Sequence, residues 1–396
     1  MSATALLAKL VFAGPELRPI RNGCVIIEGD RIVSVGSRSS ASKRANDTHT
    51  VDLGDAALLP GFINLHVHLD FDGSPDFLNA AKLIDEQTST LLAVDSAVRA
   101  LAAGVTTVRD LGNKYAVAIA LREASAKGWI RAPRIIAAGK AICMTGGHGW
   151  FIGLESDGPH DMRKAVRYNL KLGADCIKVI ATGGVLSPGV EVGSAQLDED
   201  ELVVAVREAH KAGRRVAAHA IANVGIKNAL RAGVDTIEHG CYLDTEAVEM
   251  MKKRGAWYVP TLRAPQAMYG LEGLAPYVVR KVNQVYDAHR ESFKLALKKG
   301  VKIATGTDAG TPFNGHGDYA IEMKLMTDLG MEPEHALRAG TVDAADALGL
   351  KGEIGEITAG ACADLVAVDG DPLRDIGATR RVRTVVSRGR MSTSAG

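Results

Sequence analysis

Sulfur, aromatic rings and excess charge are all scarce in this chain. Its 396 residues contain five cysteines, Cys24, Cys143, Cys176, Cys241 and Cys362, an odd number with no C-x-x-C spacing. That argues against a disulfide framework or a cysteine zinc motif and suits a reducing compartment, with the thiols as small apolar side chains. Lys plus Arg is 47 against 46 for Asp plus Glu, and no basic block stands out. A charged face for nucleic acid is therefore not expected. No run approaches the roughly 18 apolar residues a membrane span needs. The N-terminal stretch "MSATALLAKLVFAGPELRP" has a short apolar part interrupted by Lys9 and no basic residues ahead of it. It reads as a first β-strand rather than a signal peptide. The expectation is a cytoplasmic protein with a small-molecule partner and neither nucleic acid nor membrane as partner.

The remaining composition is that of a globular protein, 46% hydrophobic and 23% charged. The length is too great for one small core and suggests a large α/β barrel with a smaller companion. The first 58 or so residues have β character. "CVIIEGDRIVSVG" is two short strands around a Gly-Asp turn, and "HTVDLGDAALLPG" is another strand and its exit. The C-terminal "ADLVAVDGDP" and "RVRTVVSRGR" return to this style. The two β-rich ends are expected to pair into one small β-sandwich domain, 1–58 with 358–396.

Between them, over 59–357, short β-branched runs alternate with helical stretches: "GFINLHV", "GVTTVRD", "PRIIAAG", "CIKVIA", "RVAAHA", "DTIEHG", "WYVPTL" and "VKIATGTD". Eight such runs are what a closed (β/α)8 TIM barrel needs, and strands alternating with helices mean a parallel sheet. Among the helices, "DEDELVVAVREAHKAG" opens on Asp198 with Glu201 three residues on, as in a capping box, and ends on glycine. Near the end, "DYAIEMKLMTDLG" is read as one helix and "EPEHALRAGTVDAADALGL" as the next.

In a barrel of this kind the chemistry sits at the C-terminal strand ends. The first run ends at His66 and His68, and residues i and i+2 of a strand project to one side. Alone, that pair is either half of a metal cage or two unrelated polar residues. Lys178 lies inside the fourth run, His219 ends the fifth, His239 the sixth and Asp308 the eighth. Imidazole nitrogen and carboxylate oxygen suit zinc and similar divalent ions. A buried neutral lysine can take up carbon dioxide to become a carbamate, an anion able to bridge two cations, and burial favours the neutral amine. The structural alternative for Lys178 is a partnership with a carboxylate.

The set "LHVHLD", Lys178, His219, His239 and "GTDAG" resembles the amidohydrolase superfamily in its binuclear form with a carboxylated lysine. "GVTTVRDLGN", "TGGHG", "GVDTIEHG" and "GEIGEITAGACADLVAVDGDPL" resemble the branch of imidazolonepropionase-like and prolidase-like (Xaa-Pro dipeptidase-like) members, across essentially the whole chain. The resemblance implies the barrel and composite β-sandwich, and two divalent ions, with zinc named first. His66, His68 and Asp308 would hold one ion, His219 and His239 the other, with the Lys178 carbamate as bridge. It further implies attack of a metal-bridging hydroxide on an amide carbonyl, with Asp308 moving the proton to the leaving amine. The expected reaction is hydrolysis of an N-acyl amino acid or dipeptide; cyclic amides, lactones or carbamates are the second choice, and a non-catalytic metal-binding scaffold a third. A homo-oligomer is expected, as relatives often form dimers or rings.

Lys178 argues against imidazolonepropionase itself. Related dipeptidases often carry Tyr or His two residues after the fifth-strand histidine, where this chain has Ile221, so a less polar substrate is expected, an aryl amide, a carbamate or a toxin-like N-acyl amino acid. His148, in "CMTGGHGWF", faces substrate or steadies the carbonyl in this reading. Trp150 and Phe151 either wall an apolar pocket or pack the loop. Tyr242, Arg263 and His316 lie in loops past strands and are candidates for substrate contact. Arg109 reads as half of a structural ion pair, with anion binding as the alternative. His49, His160, His210, His289 and His335 read as surface or helix residues.

Overall fold

The computed structural model describes residues 3–41 and 48–393. They fall into two compact units. One takes the chain up to Asn64, Arg99–Thr107 and the part from Tyr319 onward; the other takes Leu65–Val98 and Val108–Asp318.

In the first unit, β1 (Thr4–Ala13), β2 (Arg18–Glu28), β3 (Arg31–Ser37), β4 (His49–Asp52) and β5 (Ala57–Pro60) join three C-terminal strands. These are β15 (Leu365–Val368), β16 (Val382–Ser387) and β17 (Arg390–Thr393), and the sheet order is β17-β16-β15-β5-β1-β2-β3, with β4 on β1. The antiparallel pairing of β15 with β5, Val366 opposite Leu59, brings the two chain ends together, as the β-rich composition at both ends predicts. Leu6, Val11, Val25, Leu58 and Leu365 bury one apolar face of this sheet. One expectation fails in the same unit. "EPEHALRAGTVDAADALGL" forms two helices, Pro333–Ala339 and Val342–Leu348, not one. The helical dihedrals end at Thr341, with φ −139° and ψ −93°, just after Gly340, where a Cβ would stand 2.6 Å from the Tyr319 hydroxyl. That hydroxyl donates to Ile63 O at 3.0 Å, so Gly340 leaves room for a tyrosine fixed in place.

The other strands are β6 (Phe62–Val67), β7 (Val105–Asp110), β8 (Arg134–Ala137), β9 (Ile142–Cys143), β10 (Leu154–Glu155), β11 (Cys176–Ile180), β12 (Arg215–Ala220), β13 (Thr236–His239) and β14 (Trp257–Val259). They form two arcs, β6-β7-β8 and β10-β9-β11-β12-β13-β14, the second parallel throughout. Seven of the eight anticipated runs are thus strands. The eighth, 301–308, makes only an isolated parallel bridge, Ile303 with Tyr258, with a second just past its end, Ala309 with Val67. It still links the arcs: Ala304 N–H donates to Tyr258 O, Leu65 N–H to Thr305 O and Asp308 N–H to His66 O. Gly306 explains the tight passage, since a Cβ there would lie 2.5 Å from Val259 Cγ1 and 2.9 Å from His66 Cβ. On the far side Asp175 N–H donates to Ala137 O at 2.7 Å. The architecture is a parallel α/β barrel with a composite β domain, and the two arcs of the barrel meet at these seams through isolated hydrogen bonds rather than ladders.

The Glu199–Lys211 helix carries the expected capping box, with Asp198 N–H donating to Glu201 Oε2 at 2.7 Å. Among the described residues no helix is long and apolar enough to cross a membrane.

Candidate metal centre

The parallel register sets the site. Ile180 lies opposite His219 and Ala220 opposite His239, so consecutive strands deliver their polar residues to one end. His239 ends β13 with φ of 70°, Asp308 ends the eighth run with 57°, and Thr261, just past β14, has 54°. Non-glycine residues seldom adopt this left-handed region, and such strain concentrates where a side chain must be aimed.

His66, His68 and Asp308 come together in a cluster able to hold a cation, with one ligand-type atom of each lying within 4.8 Å of the others. Asp308 Oδ1 is 3.4 Å from Nε2 of both histidines, and Lys178 Nζ is 3.3 Å from His66 Nε2. The His219 and His239 rings are 4.5 Å apart, and His239 is 5.0 Å from His66. All six side chains anticipated from the strand ends therefore meet in one cavity.

What stands behind each imidazole decides which nitrogen keeps a lone pair. His66 Nδ1 donates to Glu238 Oε2 at 2.9 Å, and His68 Nδ1 donates to Gly112 O at 2.7 Å. His239 Nδ1 is 2.7 Å from Thr261 Oγ1, whose own hydrogen goes to Pro260 O, so here too the ring donates. In the neutral form of these three rings the lone pair is therefore on Nε2. His219 reverses the pattern: Nε2 donates to Gly183 O at 3.1 Å, leaving Nδ1 as the base. A metal-binding imidazole needs this arrangement, an acceptor fixing one nitrogen and a lone pair on the other.

Burial holds His66, His219 and His239 neutral, with pKa values well below the ordinary histidine value and Lys178 adding to the effect. For His68 burial acts the same way, but the hydrogen bond and charge of Asp308 outweigh it and raise the pKa. Burial likewise pulls Lys178 down to about 8, against the attraction of Glu238 and Asp308. Burial opposes ionisation of Asp308, yet the neighbouring His66, His68 and Lys178 bring it to about 2. Three imidazoles held neutral, His68 paired with the ionised Asp308, and a readily deprotonated amine form a donor set that fits divalent cations.

Glu238 was not anticipated. It is fully buried and also receives Arg109 Nη2 at 2.7 Å, while Arg109 Nε reaches Leu65 O at 2.6 Å and Nη1 reaches Thr236 Oγ1 at 3.2 Å. Arg109 is thus the structural ion-pair partner that its sequence context suggested. The sequence signal for Glu238 was a lone acid inside the apolar strand "DTIEHG".

The cavity, about 800 Å³ including its mouth, has an apolar wall in which Phe71, Phe77 and Phe151 lie beside His68. Phe71 stacks on His68 at 4.7 Å and meets Phe77 edge to face at 4.6 Å. His148 and Ile221 line it as well. The His148 ring is 4.5 Å from His219, and burial, then the His219 and Lys281 charges, lowers its pKa far below the ordinary value. Four candidates stand off the wall. Trp150 packs behind it against Phe151, with Lys82 Nζ 4.9 Å from its ring centre. The Tyr242 hydroxyl donates to Gln284 O, and Arg263 binds Asp318 at 3.1 Å and Phe313 O at 3.0 Å, so both are turned to structural partners. His316 is buried outside the lining. Conversely His289, read as a surface or helix residue, is on a helix but buried in the cavity wall, where burial lowers its pKa to about 4. Its signal was spacing: Val278, Val282, Val285, His289, Ser292 and Phe293 form one buried stripe of the Pro276–Lys299 helix.

Known proteins share this layout. Over 94% of this chain and 82% of its own length, ochratoxinase of Aspergillus niger is 31% identical. A crystal structure of a Xaa-Pro dipeptidase with methionine bound in the active site superposes with a TM-score of 0.91 at 32% identity, covering 99% of this chain and 100% of that one. The A. niger ochratoxinase structure superposes at 0.88 with 29% identity, covering 100% and 96%. The amidohydrolase family model matches residues 57–391. The chain belongs to the amidohydrolase family.

Proposed function

We propose that the protein hydrolyses the amide bond of a small molecule, with water activated between two divalent cations. The observation that carries this is the placement of hydrogens: four buried imidazoles turn lone pairs into one cavity that also holds Asp308 and Lys178. His66, His68 and Asp308 would hold one cation and His219 and His239 the other, zinc being the first choice. Lys178, whose pKa burial lowers to about 8, would react as the neutral amine with carbon dioxide, losing a proton and gaining a carboxylate able to bridge the pair. When bound, the cations polarise the carbonyl and lower the pKa of a water towards about 7. Asp308 takes the proton from the water and returns it to the leaving nitrogen, base first and acid second. His148 faces the carbonyl from the opposite loop.

The apolar wall supports N-acyl amino acids or dipeptides with large, aromatic side groups, as do relatives called ochratoxinase and Xaa-Pro dipeptidase. Ile221 in that wall also supports a second reading, a less polar cyclic amide, lactone or carbamate. A panel of these compounds, each in acetyl and benzoyl form where the chemistry allows, tests both: hydrolysis of none sinks the proposal. Asp308→Asn is expected to keep the fold and lower kcat by at least about a thousandfold, a loss the size of a missing proton carrier; near-normal turnover would remove Asp308 from that role. Five buried free thiols support a cytoplasmic setting. Exposed Leu83, Leu91 and Trp129 support self-association, which light scattering decides. The shared sheet of both chain ends supports 1–58 with 358–396 as the β domain and 59–357 as the barrel.

A further inference from the structure

His148 differs from the four ligand-type imidazoles in what stands behind it. Its Nδ1 lies 2.9 Å from the hydroxyl of Ser187, a fully buried residue. That oxygen already accepts from Gly149 N–H at 3.1 Å. A serine hydroxyl owns one hydrogen and must place it on an acceptor when buried. His148 Nδ1 is the acceptor within reach among the described residues. Were Nδ1 to carry a hydrogen of its own, two hydrogens would face each other and the serine's would be buried unsatisfied. The hydroxyl therefore donates to Nδ1, and the neutral ring keeps its N–H at Nε2.

The surroundings hold this arrangement in place. Lys281 reaches the loop from the Pro276–Lys299 helix, its ammonium donating to Gly184 O at 3.2 Å, to Ser187 O at 2.6 Å and to Val190 O. The Tyr277 hydroxyl donates to Leu186 O at 3.2 Å. Gly184 leaves the ring its room, because a Cβ there would lie 2.3 Å from His148 Nε2. No protein group among the described residues bonds Nε2, which stays open to the cavity.

We propose that Ser187 is a positioning residue that fixes His148 as the Nε2–H tautomer, making it a hydrogen-bond donor to the substrate carbonyl oxygen and not a base. The proposal rests on the hydrolytic reading for its substrate, but the tautomer stands apart from it. Neutron diffraction from crystals of the zinc-loaded wild-type protein grown in deuterated buffer reads the tautomer directly. Deuterium is expected on His148 Nε2 and on Ser187 Oγ, directed at Nδ1; deuterium on His148 Nδ1 overturns the proposal. With the best substrate of the panel, Ser187→Ala should lower kcat roughly 10- to 100-fold, the scale of a weakened oxyanion donor. KM and zinc content should stay within about twofold, since a donor to the developing oxyanion acts after binding. Ser187→Thr, which keeps the hydroxyl, should recover most of the loss. Wild-type kcat in Ser187→Ala overturns the role. If nothing in the panel is hydrolysed, the hydrolytic reading fails while the deuterium positions still decide the tautomer.

Discussion

The carboxylate of Glu238 does two jobs that pull on opposite sides, accepting from His66 Nδ1 and from the Arg109 guanidinium. Glu238→Gln preserves the shape but removes the charge and can turn an amide N–H towards the ring. His66 then loses the acceptor that makes Nε2 a good base, and metal affinity measured by chelator competition should fall about 10- to 100-fold. An unchanged affinity would show that His66 is not a ligand, or that Glu238 does not set its tautomer. Lys178 gives a second prediction, for the metal-free protein. Its folded pKa of about 8 lies below the unfolded 10.5, so between these values the unfolded chain binds the extra proton. Stability from this group therefore rises with pH across that window and is lost below it. Relative to Lys178→Met, the wild type should gain roughly 3 kcal/mol between pH 8 and 10.5 in denaturant unfolding; parallel curves for the two proteins would show that Lys178 is not desolvated. At this scale the six ligand-type residues were legible, because a polar group ending an apolar strand contradicts its surroundings. Glu238, Gly112, Thr261 and Ser187 were not legible as partners. Each comes from a different part of the chain than the ring it serves, and only folding assigns the pairs.

At the scale of elements, the Pro276–Lys299 helix matters more to the site than its distance in sequence suggests. One buried stripe of it contributes Lys281 to the 184–190 loop and His289 to the cavity wall. A histidine and a lysine at positions otherwise filled by valine and phenylalanine were the available signals, and helical periodicity alone gives them no destination. The loop between β9 and β10 shows the converse. Its sequence "GHGWF" puts three large rings side by side, and the turn sends His148 and Phe151 to the cavity and Trp150 behind it. The side-chain alternation that made His66 and His68 readable holds only in extended strands. Lys281→Met tests the strap. It strips three carbonyls of their donor, and buried polar groups left unpaired cost about 1–3 kcal/mol each. A fall of several degrees in Tm and earlier proteolysis within 184–190 are expected, while Lys281→Arg should restore part of both. Wild-type cleavage kinetics in Lys281→Met would mean that the loop is held by Tyr277 and its own packing.

For the whole molecule, alternation of strands and helices was enough to read the barrel, and similar composition at both ends was enough to read the shared sheet. The eighth strand was overcalled because "VKIATGTD" has the right residues but Gly306 and Asp308 serve close approach and a left-handed turn instead of a ladder. The charge balance around the site carries a last prediction. Without cations the buried charges around the site include Lys178, Arg109 and His68, whose pKa is raised, against Glu238, Asp308 and Asp110, while His66, His219 and His239 are held neutral. The barrel is therefore not forced open by unbalanced charge when metal is removed, and the metal-free chain should keep its far-UV circular dichroism. It loses the linkage term instead. A ligand that binds only the folded state adds about 4 kcal/mol at a thousandfold excess over its Kd. Dialysis against a chelator should abolish hydrolysis and lower Tm by several degrees with the spectrum intact, and zinc should restore both together. Superimposable melting curves before and after chelation would mean that the six converging side chains hold no cation in the folded protein. Loss of the spectrum would mean that the metals, and not the opposed buried charges, keep the strand ends together.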